Sequence, residues 1–167
     1  PLSTRDWRVC NYEGALNAPV AYAMALLSHP TSDQTVLNIG CGSASIMIER
    51  LAAAPAARVI GVDNVPQTLT FAQSNLDAAN QRQNTTLIEA DAIQMPFDNE
   101  TIDSLLADLP FGQRVGSHET NQVLYPALIR EAARVARQNA HFVLITHEIQ
   151  LMQNILSNDE LWTLEKE

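Results

Sequence analysis

An α/β fold, a mostly parallel sheet with helices on both faces, is predicted by three features of the sequence. Short β-branched apolar runs alternate with longer helical patterns from Thr35 onward, a glycine turn follows the first run, and an acid ends the second. At 167 residues and 46% hydrophobic, the chain has material for one domain with a full core, burying roughly two thirds of its unfolded surface.

Taken in order, residues 18–27 form a helix that is apolar nearly all round, capped by Asn17 and expected to be buried between the sheet and whatever lies ahead of it. The first strand is 35–39. Residues 45–54 carry Ile46, Met47, Ile48 and Leu51 on a broad apolar stripe and read as a helix. A strand at 58–62 precedes a helix at 66–79, for which Asn64 is the cap ahead of a proline in the first turn. Strands at 85–89 and 102–107 follow. Leu124, Leu128, Ala132 and Val135 recur at helical spacing over 120–137, with Pro126 ending a first turn or introducing a kink, and Arg130, Arg134 and Arg137 on its solvated side. A strand at 141–146, a helix at 148–156 and a candidate sixth strand at 161–165 complete the pattern, so the fold could lack a terminal strand. Residues 1–34 read as an amino-terminal cap segment on a core domain of 35–167.

No apolar run is long enough to span a bilayer, and the first residues, with Arg5, Asp6 and Arg8, lack the apolar core of a signal peptide. A cytoplasmic protein with Cys10 and Cys41 reduced is expected. The chain does not begin with methionine and ends in an apparent strand, which reads as a domain of a longer protein. His29, His141 and His147 show no metal-ligand spacing and read as surface or strand-end histidines, so no metal is expected. The net charge of −9 argues against the chain gripping a polyanion unaided, because nucleic-acid affinity comes largely from Lys and Arg displacing counterions.

Two stretches carry chemistry. After the first strand come Asn38, Ile39, Gly40, Cys41, Gly42, Ser43, Ala44 and Ser45, then a helix; glycine there lets a ligand approach backbone amides. Asp63 lies 21 residues past Gly42, the separation at which a carboxylate meets a ribose, and Asn64 follows it. A dinucleotide enzyme would want a third glycine two positions beyond Ser43 and a longer chain. Glu89, Ala90, Asp91 and Ala92 close the third strand. The second stretch, Asp108, Leu109, Pro110, Phe111 and Gly112, ends the fourth strand at the crevice where open parallel sheets bind ligands. A carboxylate, a proline-stiffened carbonyl and an aromatic face can hold a planar nitrogenous base. Arg114 could reach a phosphate or base edge, and Ser117 and His118 are further candidates.

These stretches resemble the motifs of class I S-adenosylmethionine-dependent amino-methyltransferases. Asp108 to Phe111 is similar to the family's Asn/Asp-Pro-Pro-Tyr/Phe motif, and the continuation Gln113, Arg114, Val115, Gly116, Ser117 resembles the catalytic domain of THUMP-associated tRNA guanine-N2 methyltransferases. Cys41, Gly42 and Ser43 match that group's glycine loop, which departs at Asn38, Ile39 and Ala44; Leu109 stands where a proline is usual. Arg5 to Arg8 and Ala15 to Pro19 look like the segment preceding the cofactor fold.

The resemblance implies a Rossmann-like class I methyltransferase fold, S-adenosyl-L-methionine as cofactor, and methylation of an exocyclic amine, most of all N2 of a tRNA guanosine. It assigns cofactor binding to Asn38, Gly40, Cys41, Gly42, Ser43, Asp63, Asn64, Asp91 (adenine amino group) and Ala92. Asp108 and the Leu109 carbonyl, with Pro110, would accept from the amine, Phe111 would stack on the base and Arg114 would bind substrate. RNA capture would fall to a THUMP domain ahead of this chain. Two other readings stand beside it: a small-molecule or protein amine methyltransferase, and a degenerate, non-catalytic module of the same fold.

Overall fold

The computed structural model describes residues 4–11, 14–110, 117–158 and 160–165. Five strands, β1 (Thr35–Ile39), β2 (Arg58–Asp63), β3 (Thr85–Glu89), β4 (Ile102–Asp108) and β5 (Ala136–Ile145), pair in parallel in the order β3-β2-β1-β4-β5. The helices are α1 (Ala18–Leu27), α2 (Ser45–Ala53), α3 (Pro66–Ala78), α4 (His118–Val135) and α5 (Ile149–Ser157).

Period-2 alternation along the strands divides the core between two faces. Val36, Val59 and Leu106 point into a layer with Met24 of α1, Met47 of α2 and Leu76 of α3, whereas Leu37, Ile60, Leu105 and Ala107 meet Leu128 and Ile129 of α4 and Met152 of α5. Both faces are therefore covered, which is why β1, β2 and β4 are apolar almost throughout. Chain order reverses at β1, where the chain first builds outward through β2 to β3 and then returns to add β4 on the other side. The carboxyl ends of β1 and β4 frame the resulting crevice.

Several local expectations are corrected. Helix α4 stops at Val135 and β5 begins at once at Ala136, not at His141. Between Ile102 and Ser104 the β4 chain advances two residues while its β5 partners run from Ala136 to His141, so the extra residues bulge out, with Asn139 in the left-handed region at φ 64°. Arg137, Gln138 and Asn139 carry no strand pattern, which hid this part of β5. Pro126 lies inside α4, which runs on through it. Residues 161–165 form no strand; Trp162 donates from its indole nitrogen to the Ile129 carbonyl (3.1 Å) and tilts against Phe142 at 5.4 Å. Asn64 does not cap α3: Val65 occupies the cap position, and its N–H donates to Asp63 Oδ1 at 3.0 Å. Asn17 sits at the cap of α1 without a side-chain bond. On α1, Ala18, Ala21, Met24 and Ala25 are buried, while Val20, Tyr22, Leu26 and Leu27 are exposed. Arg134 is not merely solvated, because its guanidinium binds Glu131 and the carbonyls of Met95 and Phe97, pinning the loop before β4.

Candidate active site

The turn after β1 is built from left-handed residues: Gly40 at φ 63°, Gly42 at 51° and Ala44 at 69°. Glycine reaches this region freely, whereas an L-residue such as Ala44 is strained there by about 1–2 kcal/mol. Cys41 N–H donates to the Val62 carbonyl (2.8 Å) and Gly42 N–H to Asp63 Oδ2 (2.9 Å), so the end of β2 holds the turn in shape. Gly61 is part of the same device. A Cβ there would come within 2.5 Å of Met47 Sδ and 3.0 Å of Cys41 Cβ, so only glycine lets α2 and the turn lie this close to β2. Burial pushes the Cys41 thiol up, leaving it a packing group rather than a nucleophile.

A second brace comes from α3. Asn75, fully buried, donates from Nδ2 to the carbonyls of Ser43 (3.0 Å) and Cys10 (2.9 Å) and accepts from Cys10 N–H (2.8 Å), which ties the amino-terminal segment to the glycine turn. Arg8 bonds the Leu16 carbonyl (2.8 Å) and Ser45 Oγ (3.0 Å), and Arg5 pairs with buried Glu49 at 2.8 Å. Trp7 packs against the α1–α2 side of the core. Gly14 and Leu16 thereby meet Gly40, Gly42, Ser43 and Asp108 around a small recess of about 20 Å³. Within it Ser43 Oγ and Asp108 Oδ1 are buried without a hydrogen-bond partner among the described residues.

Asp108 ends β4 beside this recess. Loss of water raises its carboxyl from the ordinary range to about 6. The next residues are fixed by α4 and β5. Leu109 N–H donates to the Ile145 carbonyl (3.0 Å), and the Pro110 carbonyl accepts from Tyr125 OH at 2.6 Å and Asn121 Nδ2 at 3.0 Å. Glu148 N–H donates to Thr146 Oγ1 (3.0 Å), which lies 2.7 Å from Tyr125 OH. Since Tyr125 spends its proton on Pro110, Thr146 donates to Tyr125, and the donors run in one direction into the Pro110 carbonyl. Ser117 caps α4 by accepting from Thr120 N–H, and His118 pairs with Glu148 at 2.9 Å.

The expected residues are thus partly gathered. Gly40, Cys41, Gly42, Ser43 and Asp108 line one recess, and Asp63 joins them through Gly42. Asn38 is only 1% exposed and donates to the Leu106 carbonyl (3.2 Å) between β1 and β4, its Oδ1 unpartnered. Asn64 is exposed, as is Asp91, whose Oδ1 accepts from Ile93 N–H (3.1 Å) just past β3; Ala92 is half-buried, and neither Asp91 nor Ala92 lines the recess. Phe111 and Arg114 lie outside the described residues. Gly61, Asn75, Asn121 and Tyr125 escaped the sequence reading; the one available signal was that Asn121 and Tyr125, four apart, share a face of α4.

Sheet order, the crevice at the point of reversal and the glycine turn opening onto it define a Rossmann-like α/β fold. Comparison with known proteins narrows the class. The model of the RMKL-like methyltransferase domain, UPF0020, matches residues 5–167, and the chain belongs to that family. It is 29% identical over 154 residues to the mouse (Mus musculus) tRNA (guanine(6)-N(2))-methyltransferase THUMP3, covering 85% of this chain and 30% of that protein. It is also 29% identical over 133 residues to the Bos taurus U6 snRNA (guanine-N(2))-methyltransferase THUMPD2, covering 80% and 26%. The chain therefore spans less than a third of these relatives' length. TrmN from Thermus thermophilus shares the fold at a TM-score of 0.74 and 23% identity, over 86% of this chain and 42% of that one. So does precorrin-6y C5,15-methyltransferase from Geobacter metallireducens, at 0.74 and 22%, over 94% and 79%.

Proposed function

We propose that this chain is the catalytic domain of an S-adenosyl-L-methionine-dependent RNA methyltransferase acting on N2 of a guanosine, most specifically in tRNA. The observation that carries the reading is Asp108: a carboxylate oxygen, buried and without a hydrogen-bond partner among the described residues, at the mouth of the crevice next to a glycine turn. An exocyclic amine supplies the donor this oxygen lacks. The residues present fit the cofactor. Gly40, exposed, and Gly42 carry no Cβ to crowd a ligand, and Ser43 Oγ and Asn38 Oδ1 have no hydrogen-bond partner among the described residues.

In this reading Gly40, Cys41, Gly42 and Ser43 would cradle the cofactor, with Asn38 beneath them. Asp63, with Asn64, would take the ribose hydroxyls, and Asp91 and Ala92 the adenine. Bound there, the cofactor supplies an electrophilic methyl group on sulfonium sulfur. Asp108 and the Leu109 carbonyl would accept from the amine and offset the charge it gains during in-line transfer, Pro110 holding the carbonyl stiff and Phe111 stacking on the base. Arg114 would meet a phosphate or the base edge. Such a transfer needs no covalent enzyme intermediate, and a base within a helix must first be turned out. The names of the relatives support the RNA substrate. A chain of net charge −9 leaves RNA capture to a separate module, for which a THUMP domain ahead of residues 1–34 is the fitting choice, in a cytoplasmic setting.

The test is calorimetric titration of S-adenosylmethionine into the purified chain, with NAD as comparison, followed by nucleoside mass spectrometry of tRNA incubated with the full-length protein. Binding of the former alone and new N2-methylguanosine are expected. No binding by chain or full-length protein would return the fold to the non-catalytic reading, and binding with methylated protein or metabolite but unmodified RNA would move the acceptor.

A further inference from the structure

His29 and His141, isolated in sequence, are neighbours in the structure. Together with Glu165 they each offer one ligand atom within 4.8 Å of the other two. The three come from different places: the turn after α1, the first regular residue of β5 past its bulge, and the segment following α5. They meet at the amino-terminal end of the sheet, opposite the glycine turn, where His29 and His141 border an open cleft of about 430 Å³.

The two histidine arms of the cluster are held by their surroundings, and the third, Glu165, is exposed. The His29 carbonyl accepts from Gln34 Nε2 (3.2 Å). Gln34 Oε1 and the Thr31 carbonyl are in turn gripped by the fully buried Arg50 guanidinium at 2.7 and 3.1 Å. His141 is paired to Ser104 in the sheet, and Glu165 follows the Trp162 anchor on Ile129. The imidazole rings stand 4.6 Å apart at 44°. His141 Nδ1 and Glu165 Oε2 approach to only 3.6 Å, longer than a hydrogen bond of about 2.9 Å, so these donor atoms are not consumed by each other. Asp33 and Asp103 add negative charge to the cleft, and Arg137 is engaged with Asp103 at 2.6 Å.

We propose that His29, His141 and Glu165 form a binding site for a divalent transition-metal ion of the zinc class. Two imidazole nitrogens and one carboxylate oxygen suit Zn(II), Co(II) or Ni(II) and disfavour Mg(II) and Ca(II), which take oxygen ligands. Donors around a tetrahedral ion with bonds of about 2.0–2.1 Å lie roughly 3.4 Å apart, so side-chain rotation of an ångström or so closes the set. The ion clips the segment after α5 to the turn after α1 and lies at the opposite end of the sheet from the transfer site. Its role is structural and independent of the methyl-transfer reading.

The experiment titrates Zn(II), and Co(II) as a visible probe, into the purified untagged chain, with Mg(II) as control. One equivalent is expected to bind, with a d–d absorption for Co(II) and a Tm that rises with Zn(II) but not with Mg(II). The double variant His29→Ala/His141→Ala should lose at least tenfold in affinity along with the Tm shift, and Glu165→Gln should bind more weakly than the unaltered chain. Should the double variant fail to fold, NMR of the unaltered chain decides: Co(II) should broaden the imidazole signals of His29 and His141 ahead of those of His118 and His147. Absence of saturable binding up to about 100 μM Zn(II), binding that survives the double variant, or broadening that starts at His118 or His147 would overturn the proposal.

Discussion

At Asp108 the fold leaves a carboxylate oxygen buried with no hydrogen-bond partner among the described residues. With its carboxyl pushed up to about 6, the folded protein keeps this proton to higher pH than the unfolded chain, whose aspartates titrate near 3.9. Its contribution to stability is therefore best below about pH 4, and a penalty builds as pH rises through 4 to 6. Asp108→Asn should accordingly stabilise the protein at pH 8 by about 1 kcal/mol, after discounting the full shift for partial exposure, and leave it nearly unchanged at pH 4; denaturant melts at the two pH values check this. The same variant should lose transfer while keeping cofactor affinity, and the parent's kcat/KM should climb through pH 6 as the carboxylate forms. Asp63→Ala should instead weaken cofactor binding first, and equal binding losses in both variants would reverse the assignments. Asp108 was legible in the sequence because its type and its place at a strand end coincide. Tyr125 was not, since what it does depends on which carbonyl the fold brings to it.

Among the elements, α4 and β2 shape the site from below. Tyr125→Phe removes the 2.6 Å donor to Pro110 and strands the Thr146 hydroxyl, which should cost about 1–2 kcal/mol. Because the Pro110 carbonyl would keep only Asn121, kcat should fall roughly tenfold while calorimetric cofactor affinity stays put; an unchanged kcat would show that the clamp matters to stability alone. Gly61→Ala should cost about 1–3 kcal/mol by overpacking against Cys41 and Met47 and, by displacing the glycine turn, weaken cofactor binding as well. Strand and helix placement was largely readable because both sheet faces are covered, so β1, β2 and β4 are nearly continuous apolar runs. The start of β5 was not readable, because the bulge places Arg137, Gln138 and Asn139 where alternation would be sought. Residues 161–165 misled for the opposite reason. Leu161, Trp162 and Leu164 look like a strand, yet Trp162 alone packs inward and the two leucines stay exposed.

For the chain as a whole, a net charge of −9 bears on how the RNA of the proposed function would be engaged. The chain alone should bind tRNA with a Kd above about 10 μM at 150 mM salt and with little dependence on salt, in contrast to the steep slope expected of a protein that displaces many counterions. A salt titration followed by fluorescence anisotropy decides; tight, strongly salt-dependent binding would locate the RNA grip on this domain. No helix among the described residues is long and apolar enough to cross a membrane.

The sheet order also sets when the site can come into being. β1 finds β2 after 23 residues, Thr35 opposite Arg58, but its other flank waits for β4, 68 residues on, Val36 opposite Ser104. The longer closure costs only about 1 kcal/mol more entropy, but on a growing chain it cannot begin until β4 has been made. A nascent chain thus passes through an interval in which the glycine turn and Asp63 can already assemble while β1 still shows a bare edge and Asp108 has not arrived. On the assignments proposed above, the residues that would hold the cofactor are made before Asp108, so the acceptor side of the site is the last part to assemble.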